Sequence, residues 1–570
     1  MSTADTTPLF KESNGLFGGL FAALRIHLSM LFWGMATGLT LPGVLTPFSA
    51  GLGLFTWFSF NPLFLALLTT PSRSTRIIAS FLFGWGYHAI ALIWILSLHP
   101  MTWLGLNNGL SLLISILAWQ LASLTGALVP AMATAGVCLI ERDRKTARLP
   151  LCLWPIFWVF GYSLLEHSQI SIAWARLELS QIDSSIVQIF ASVLMGTGIT
   201  LAVLYFNLLL TMLYGNDFLK KEFWQGEFRS VIPCNLLILI PLVLHGMHGF
   251  IPRELPDSST TANQSPRTFY RLPPINVLTV QGERGIQAVR GKMLTEKEAF
   301  YEALFAYAKP LEAALATIGP KTMAHKAKNL SLAVLPEEGA LPGWVDESTP
   351  ESNPMVRLYQ EIADRHNAVV IVGASSLKKA DKTQYHNSLL AISPHARTHP
   401  VQFYHKTVLV PYGETAPLAD LLGRSWLTDL LEATSGIRYD FLYEPGQNEH
   451  GQNGSLFEIG KDVTGGERLK ISPTICFELA SNERAEQIHQ ENPDILINSS
   501  NLGWFHQNSA LNAQFLAYGK LRAAETQRPL VLAANTGISA IIAPGGAILK
   551  QTTPGKPSVN AVNFGPSLSP

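Results

Sequence analysis

The first 254 residues return repeatedly to apolar runs long enough to cross a bilayer, and nothing else in the chain constrains its fold as strongly. A span needs about 20 mostly apolar residues. Seven runs meet that need, at approximately 27–46, 51–70, 77–97, 109–140, 149–166, 185–214 and 231–250. The fifth is short and carries Pro155. Buried helices of a soluble domain are a poor alternative, because several runs continue for more than about 18 residues without a charge. The connecting segments alternate in charge. Lys11 and Arg25 precede the first run, and Arg73 and Arg76 separate the second from the third. Arg142, Arg144, Lys145 and Arg148 follow the fourth, and Lys220, Lys221 and Arg229 follow the sixth. That places 11 basic residues on one side and only Arg176 on the other. Basic loops stay in the cytoplasm, so the N-terminus is expected there. An odd number of spans then puts everything past residue 250 outside. Pro42, Gly43 and Pro47 follow the first run where a small-x-small cleavage site would stand, so a retained span is expected rather than a removed signal peptide.

The average composition conceals a division. Charged residues make up 14% of the 570, against about 25% in soluble domains. Lys plus Arg equals Asp plus Glu at 41 each, which leaves no general pull toward nucleic acid. Residues 1–254 read as a membrane domain. Residues 255–272 are polar, rich in Ser and Thr, and read as a linker. Residues 273–570 read as a soluble catalytic domain. There, strand-like runs at 275–281, 330–335, 368–373, 388–392, 401–405, 469–476, 494–498 and 530–534 alternate with helical runs near 294–317, 354–367, 416–433, 480–491 and 509–527. This alternation predicts an α/β domain whose sheets are covered by helices.

Chemistry shows where polar residues end apolar strands. Cys138, Cys152 and Cys234 lie in or beside apolar runs, and Cys476 stands alone in the soluble half. No Cys/His spacing suggests a metal, and no cofactor motif is present. Three segments stand out: Leu335-Pro336-Glu337-Glu338, Tyr404-His405-Lys406 with Glu414 shortly after, and Ile475-Cys476-Phe477-Glu478. A thiol needs a base to become a thiolate, and an ammonium nearby can steady negative charge. Glu337, Cys476 and Lys406 would supply base, nucleophile and cation. Taken singly, each has a plain reading as a solvated turn, a core thiol or a surface charge. Their joint occurrence at three strand ends is what points to catalysis.

The three segments resemble those of the nitrilase superfamily, whose Glu-Lys-Cys triad sits on an α-β-β-α sandwich. Behind seven spans, they resemble the membrane-embedded branch, the apolipoprotein N-acyltransferases of the bacterial inner membrane. The likeness extends to Phe83-Gly84-Trp85-Gly86-Tyr87, Ile93-Trp94-Ile95, Trp174, Leu177, Ser180-Gln181, Gly196 and Gly198 in the membrane half. In the soluble half it covers Asn498-Ser499-Ser500-Asn501, Trp504-Phe505, Arg522-Ala523-Ala524-Glu525 and Asn535-Thr536-Gly537. Three positions depart from the family's pattern: Leu335 where Trp is usual, Phe477 where Tyr is common, and Thr415 where an aromatic is common. The resemblance also implies a last span returning the C-terminus to the cytoplasm, and no such run stands before Pro570.

The resemblance implies transfer of an acyl chain from a phospholipid, phosphatidylethanolamine by the family's habit, to the N-terminal amine of a diacylglyceryl apolipoprotein. Glu337, Lys406 and Cys476 would be catalytic. The amide of Phe477 would help hold the oxyanion, Glu414 would orient Lys406 or Glu337, and Glu478 would line the acceptor side. Two other functions stay open on the residues alone: a membrane-tethered amidase or nitrile hydrolase, and a silent lipid- or lipoprotein-binding protein. The leucines of 416–433 fit either a lid at the bilayer surface or a helix packed on the domain.

Overall fold

The structure, a computed structural model, describes residues 16–45, 52–142, 148–167, 174–214, 275–284, 294–318, 330–377, 385–395, 400–415, 423, 426–435, 443, 456–465 and 468–564. Six of the seven apolar runs fall within these. They form α1 (Leu16–Gly38), short turns leading into α2 (Asn61–Thr69), α3 (Arg73–Ala91), α4 (Asn108–Ile140), α5 (Trp154–Glu166) and α6 (Ser185–Tyr214). Among the described residues, three stretches are long and apolar enough to cross a membrane: Asn108–Ile140, Leu149–Glu166 and Phe190–Leu213. The run at 231–250 and the segment 255–272 lie outside the described residues.

Small residues let these helices close on one another. A Cβ on Gly34 would lie 1.9 Å from the carbonyl oxygen of Phe83, and one on Gly86 would lie 2.3 Å from that of Leu31, so α1 and α3 meet backbone to backbone. Ser72 caps α3, accepting from the amide of Thr75. At the same end, Arg76 and Glu141 form a buried ion pair at 2.7 Å, which brings the start of α3 to the end of α4. The third run is one helix by pattern, yet α3 stops at Ala91 and a 3₁₀ segment, Ile93–Leu98, follows. The amide of Ile95 donates to Leu92 rather than to Ala91. The Ala91 carbonyl is thereby released for a side chain of the soluble half, Gln514, which donates to it at 3.0 Å. α6 is likewise two helices joined at Met195, whose φ is +53°.

The soluble half contains two sheets. In the first, strands run in the order β13 (Ser558–Phe564), β1 (Ile275–Gln281), β2 (Leu330–Val334), β4 (Ala368–Leu377), β5 (Tyr385–Ile392) and β6 (Gln402–His405), with β3 (Trp344–Asp346) beside β4. The second runs β12 (Ile548–Gln551), β11 (Ala540–Ile542), β10 (Leu530–Ala534), β9 (Ile495–Ser500), β8 (Leu469–Ile475) and β7 (Phe457–Ile459). Val277, Leu332 and Ile371 of the first sheet pack against Ile471, Ile497 and Val531 of the second, forming a dry core between them. The outer face of the first sheet packs on α7 (Glu296–Ala303), α8 (Lys309–Ile318) and α9 (Pro354–His366). Further along the chain, α10 spans Trp426–Ser435. The outer face of the second sheet packs on α11 (Asn482–Glu491) and α12 (Ser509–Thr526). This is the expected α-β-β-α sandwich.

The last layer has a second partner. Leu511, Phe515, Tyr518 and Leu521 of α12 share one core with Trp94, Trp158, Trp174 and Leu204 of the membrane half. The sandwich is thus welded to the membrane helices through its second helical layer. Five strands, β3, β7, β11, β12 and β13, go beyond the sequence pattern. Most are three or four residues long, and β12 is exposed throughout, so neither length nor alternation marks them.

Candidate active site

Three strand ends converge. β2 passes through Leu335 and Pro336 to Glu337. The amide of Leu335 donates to Ile371 at 2.8 Å and that of Gly373 to Pro336 at 3.2 Å, which extends the pairing of β2 with β4 up to the site. Gly373 is required there, because a Cβ would stand 2.2 Å from the carbonyl oxygen of Glu337. β6 ends at His405, and the next amide, of Lys406, donates to the carbonyl of Asn387 at 2.8 Å. β8 of the other sheet ends at Ile475. Cys476 then turns the chain with φ +48°, a left-handed conformation that costs a residue with a Cβ of order 1–3 kcal/mol. A 3₁₀ turn, Cys476–Ala480, leads into α11. A cross-sheet bond fixes the two sheets at this corner, as Ser499 Oγ donates to the carbonyl of Leu335 at 2.6 Å.

Glu337 and Lys406 are 5% and 1% exposed. Lys406 Nζ donates to Glu337 Oε1 at 3.2 Å and to Glu414 Oε1 at 2.8 Å. Asn387 Nδ2 lies against the same two oxygens, at 2.6 Å from Glu337 and 2.9 Å from Glu414. The amide of Asn501, at the end of β9, donates to Glu337 Oε2 at 2.8 Å, and that of Val410 to Glu414 Oε2 at 2.9 Å. Burial alone would drive the Lys406 ammonium toward neutrality, but Glu337 and Glu414 overcome it and hold it charged well above the ordinary lysine range. Burial raises the Glu337 carboxyl above its ordinary value; Lys406 pulls it back, and Glu414 and Glu338 push it further up. The Cys476 thiol is pushed well above its usual range, first by burial and then by Glu337, while Lys406 and the Asn501 amide act the other way. A raised base beside a raised thiol, with a fixed cation, can move a proton without holding a free thiolate at rest.

Residues 291–564 match the carbon-nitrogen hydrolase family. Most of the chain is similar to apolipoprotein N-acyltransferases. It is 25% identical to that of Nostoc sp. over 510 residues, covering 88% of this chain and 87% of the relative. It is 26% identical to that of Gloeobacter violaceus (91% and 84% covered) and 24% to that of Coxiella burnetii (87% of each). The likeness to these relatives spans both halves of the chain, and the likeness to the carbon-nitrogen hydrolases lies in the soluble half.

Several of the motifs that carry this likeness have visible work in the structure. Gln514 of α12 accepts from the indoles of Trp94 at 3.1 Å and Trp174 at 2.9 Å. Tyr518 donates to the Trp174 carbonyl. Phe505 meets Trp94 edge to face at 5.0 Å, and Trp504 meets Trp103 likewise at 4.9 Å. Arg522 donates to the carbonyls of Leu479, Ala480 and Ser481 on the turn that follows Cys476 and pairs with Glu525 at 2.6 Å. Glu525 in turn accepts from the amide of Gly196 at 2.7 Å, just past the break in α6. Asn498 braces Cys476 from the sheet side, donating to its carbonyl at 3.2 Å.

Of the supporting residues, Glu414 touches Lys406 directly, as given above. Phe477 stacks on Trp174, with ring centroids 5.7 Å apart. Glu478 requires a correction. The sequence reading places it on the acceptor side of the pocket, but it is 1% exposed and both oxygens are engaged. Oε1 accepts from Thr407 N, Thr407 Oγ1 and Val408 N; Oε2 accepts from Ile475 N and Tyr404 Oη. Glu478 therefore fastens the segment after Lys406 to the turn at Cys476. Asn387, which joins Glu337 to Glu414, stands one residue before the strand that the sequence predicts from Ser388, and the structure begins that strand at Tyr385. Of the leucines considered for a lid, Leu418, Leu421 and Leu422 lie outside the described residues, and α10 carries an exposed Leu430.

Proposed function

We propose that this membrane protein moves a fatty acyl chain from a phospholipid, through a thioester on Cys476, to the N-terminal amine of a diacylglyceryl-cysteine apolipoprotein. The observation that carries the proposal is the Glu337–Lys406–Glu414 cluster beside Cys476, on a domain packed against membrane helices. Glu337 takes the thiol proton as sulfur attacks the ester carbonyl of the donor, for which we propose the sn-1 chain of phosphatidylethanolamine. Lys406 and the amide of Phe477 hold the oxyanion; one such donor is worth about 2.7–4 kcal/mol of barrier. The lysophospholipid leaves with a proton returned from Glu337. The acceptor amine then attacks the thioester, Glu337 takes its proton, and the amide departs as the Cys476 thiol is restored. An amide lies below a thioester in energy, so the second half needs no nucleotide.

We further propose an inner-membrane, multi-pass arrangement with the N-terminus cytoplasmic and the catalytic domain outside. The basic segments support it. Arg73 and Arg76 begin α3, whereas the Ala91 carbonyl that ends it accepts from Gln514 of the catalytic domain. These ends are about 27 Å apart along a 19-residue helix. The catalytic domain therefore sits on the end of α3 away from its arginines.

The test is mass spectrometry of the full chain in micelles with one defined phospholipid and a diacylglyceryl peptide. The enzyme should gain one acyl mass on Cys476, and the peptide should then gain it as an amide. Cys476→Ala should do neither. Peptide acylation by the Cys476→Ala protein, or steady release of free fatty acid with the peptide left unmodified, would overturn the proposal.

A further inference from the structure

A cavity of about 290 Å³ lies where α5 and α6 meet the start of α11. None of Glu337, Lys406, Glu414 or Cys476 lines it. Its polar wall carries Glu166, Arg176, Glu178, Thr200, Glu483 and Glu486, and its apolar wall includes Trp158 and Val159 of α5. Arg176 and Glu178 are 4% and 3% exposed. Arg176 donates through Nη2 to Glu166 at 2.9 Å, and its Nε meets no acceptor among the described residues. Glu178 Oε2 accepts from Thr200 at 2.6 Å, and its Oε1 meets no donor among them. A buried donor and a buried carboxylate oxygen left in this state each cost about 1–3 kcal/mol, and native structures rarely keep them without a reason.

The charges say what would relieve them. Glu166 cancels Arg176, and its second oxygen is held by the amides of Asn482 at 2.5 Å and Glu483 at 3.3 Å. His167 faces Glu483 at 3.5 Å on the rim. Glu178 and Glu486 remain as excess negative charge. A simple anion would meet Glu178, and a simple cation would leave Arg176 Nε unanswered. A group carrying both an ammonium and a phosphate oxygen answers each. The volume is that of about ten waters, room for a headgroup and not for acyl chains. Beside it on α5, Phe160 and Leu164 are exposed, the surface along which such chains would run.

We propose that this cavity holds the zwitterionic headgroup of a resident aminophospholipid, its ammonium on Glu178 and its phosphate on Arg176 Nε, separate from the acyl donor at Cys476. Because Glu166 binds Arg176 and also holds the first amides of α11, the lipid would brace the helix that follows the nucleophile turn.

The test counts lipids by native mass spectrometry of the full chain released from nanodiscs, in a Cys476→Ala background that cannot turn over. From phosphatidylethanolamine discs this protein should keep one copy more than its Glu178→Gln derivative, whose occupancy should fall about tenfold or more for the lost charge-assisted contact. From phosphatidylglycerol discs no extra copy should appear. If Glu178→Gln fails to insert, Val159→Trp fills the cavity from α5 and should remove the same copy. Equal lipid counts with and without Glu178 or the filled cavity, or equal retention of phosphatidylglycerol, overturn the proposal. The count does not depend on acyl transfer, so its failure and that of the proposed reaction are read separately.

Discussion

The two helical layers of the sandwich do the same architectural job in opposite surroundings. α9, on the first sheet, buries five of its 13 residues. Its other face carries Arg357, Glu361, Asp364 and Arg365 into solvent. α12, on the second sheet, buries 13 of its 18 residues, and these include Gln514, Arg522 and Glu525. The charged groups of α9 are open to solvent. The polar groups of α12 are shut between a sheet and the membrane helices, where an unmet polar group is costly, and each of the three is met by a named partner. One layer is a cover; the other is a joint, and its polar residues are the fasteners.

The joint should break most readily at Arg522. Replacing it by Ala would leave the Glu525 carboxylate buried without its ion pair and three carbonyls of the Cys476 turn without their donor. Removing one partner of a buried pair costs about 3–5 kcal/mol. Arg522→Ala should lower the melting temperature in detergent by about 6 °C or more, and thioester formation should slow with it. A melting point within about 2 °C of wild type would show that α12 is no more a joint than α9.

The site at this joint should also respond to pH, with a smaller and reversible effect. In the proposed reaction Glu337 must be ionised to accept the thiol proton, and its carboxyl is held above the ordinary 4.5, first by burial. Thioester formation is therefore fully present above the raised value and is lost as pH falls through it, about tenfold per unit once below. Lys406 is held charged well above its ordinary range, so it adds no loss near neutral pH. A single-turnover profile whose acid limb lies at or below 4.5 would contradict the burial of Glu337.

Sequence and structure agree where a signal is local and part where it is not. β1 and β10 occupy the residues that their runs of branched side chains mark, 275–281 and 530–534. Glu337, Lys406 and Cys476 were legible because each ends a strand in a short motif, and the structure brings them to one corner. Asn387 was not, since nothing beside it indicates that its carboxamide joins two carboxylates from distant segments. Glu478 resembled any acid on a turn; its five donors come from residues 404–408 and 475. The Ala91 carbonyl freed by the break after α3 is taken up by Gln514, more than 400 residues along the chain. That partner lies in the other half of the chain, so the apolar run itself gives no sign of it.

Gln514 offers a gentler way to strain the joint. Leu in its place fills similar space but leaves the indole N–H groups of Trp94 and Trp174 and the Ala91 carbonyl without partners. An orphaned buried group costs about 1–3 kcal/mol, with some relief from rearrangement. Gln514→Leu should destabilise less than Arg522→Ala, and Glu, which keeps the acceptor, should restore part of the loss. If Glu is no better than Leu, the indole bonds are incidental to the docking.

The smallest effect belongs to the covering layer. Arg365 of α9 pairs with Glu312 of α8, and the two side chains are 58% and 36% exposed. Exposed pairs are worth about 0–1 kcal/mol, because water already solvates both charges and salt screens them. Arg365→Ala should therefore shift the melting point by no more than about 4 °C, and the difference should shrink further in high salt. The Arg522 effect should persist in the same salt, since its partners are shut away from the counterions. An Arg365 effect as large and as salt-resistant as that of Arg522 would mean that the first layer, too, is closed off from solvent by something that packs against α8 and α9.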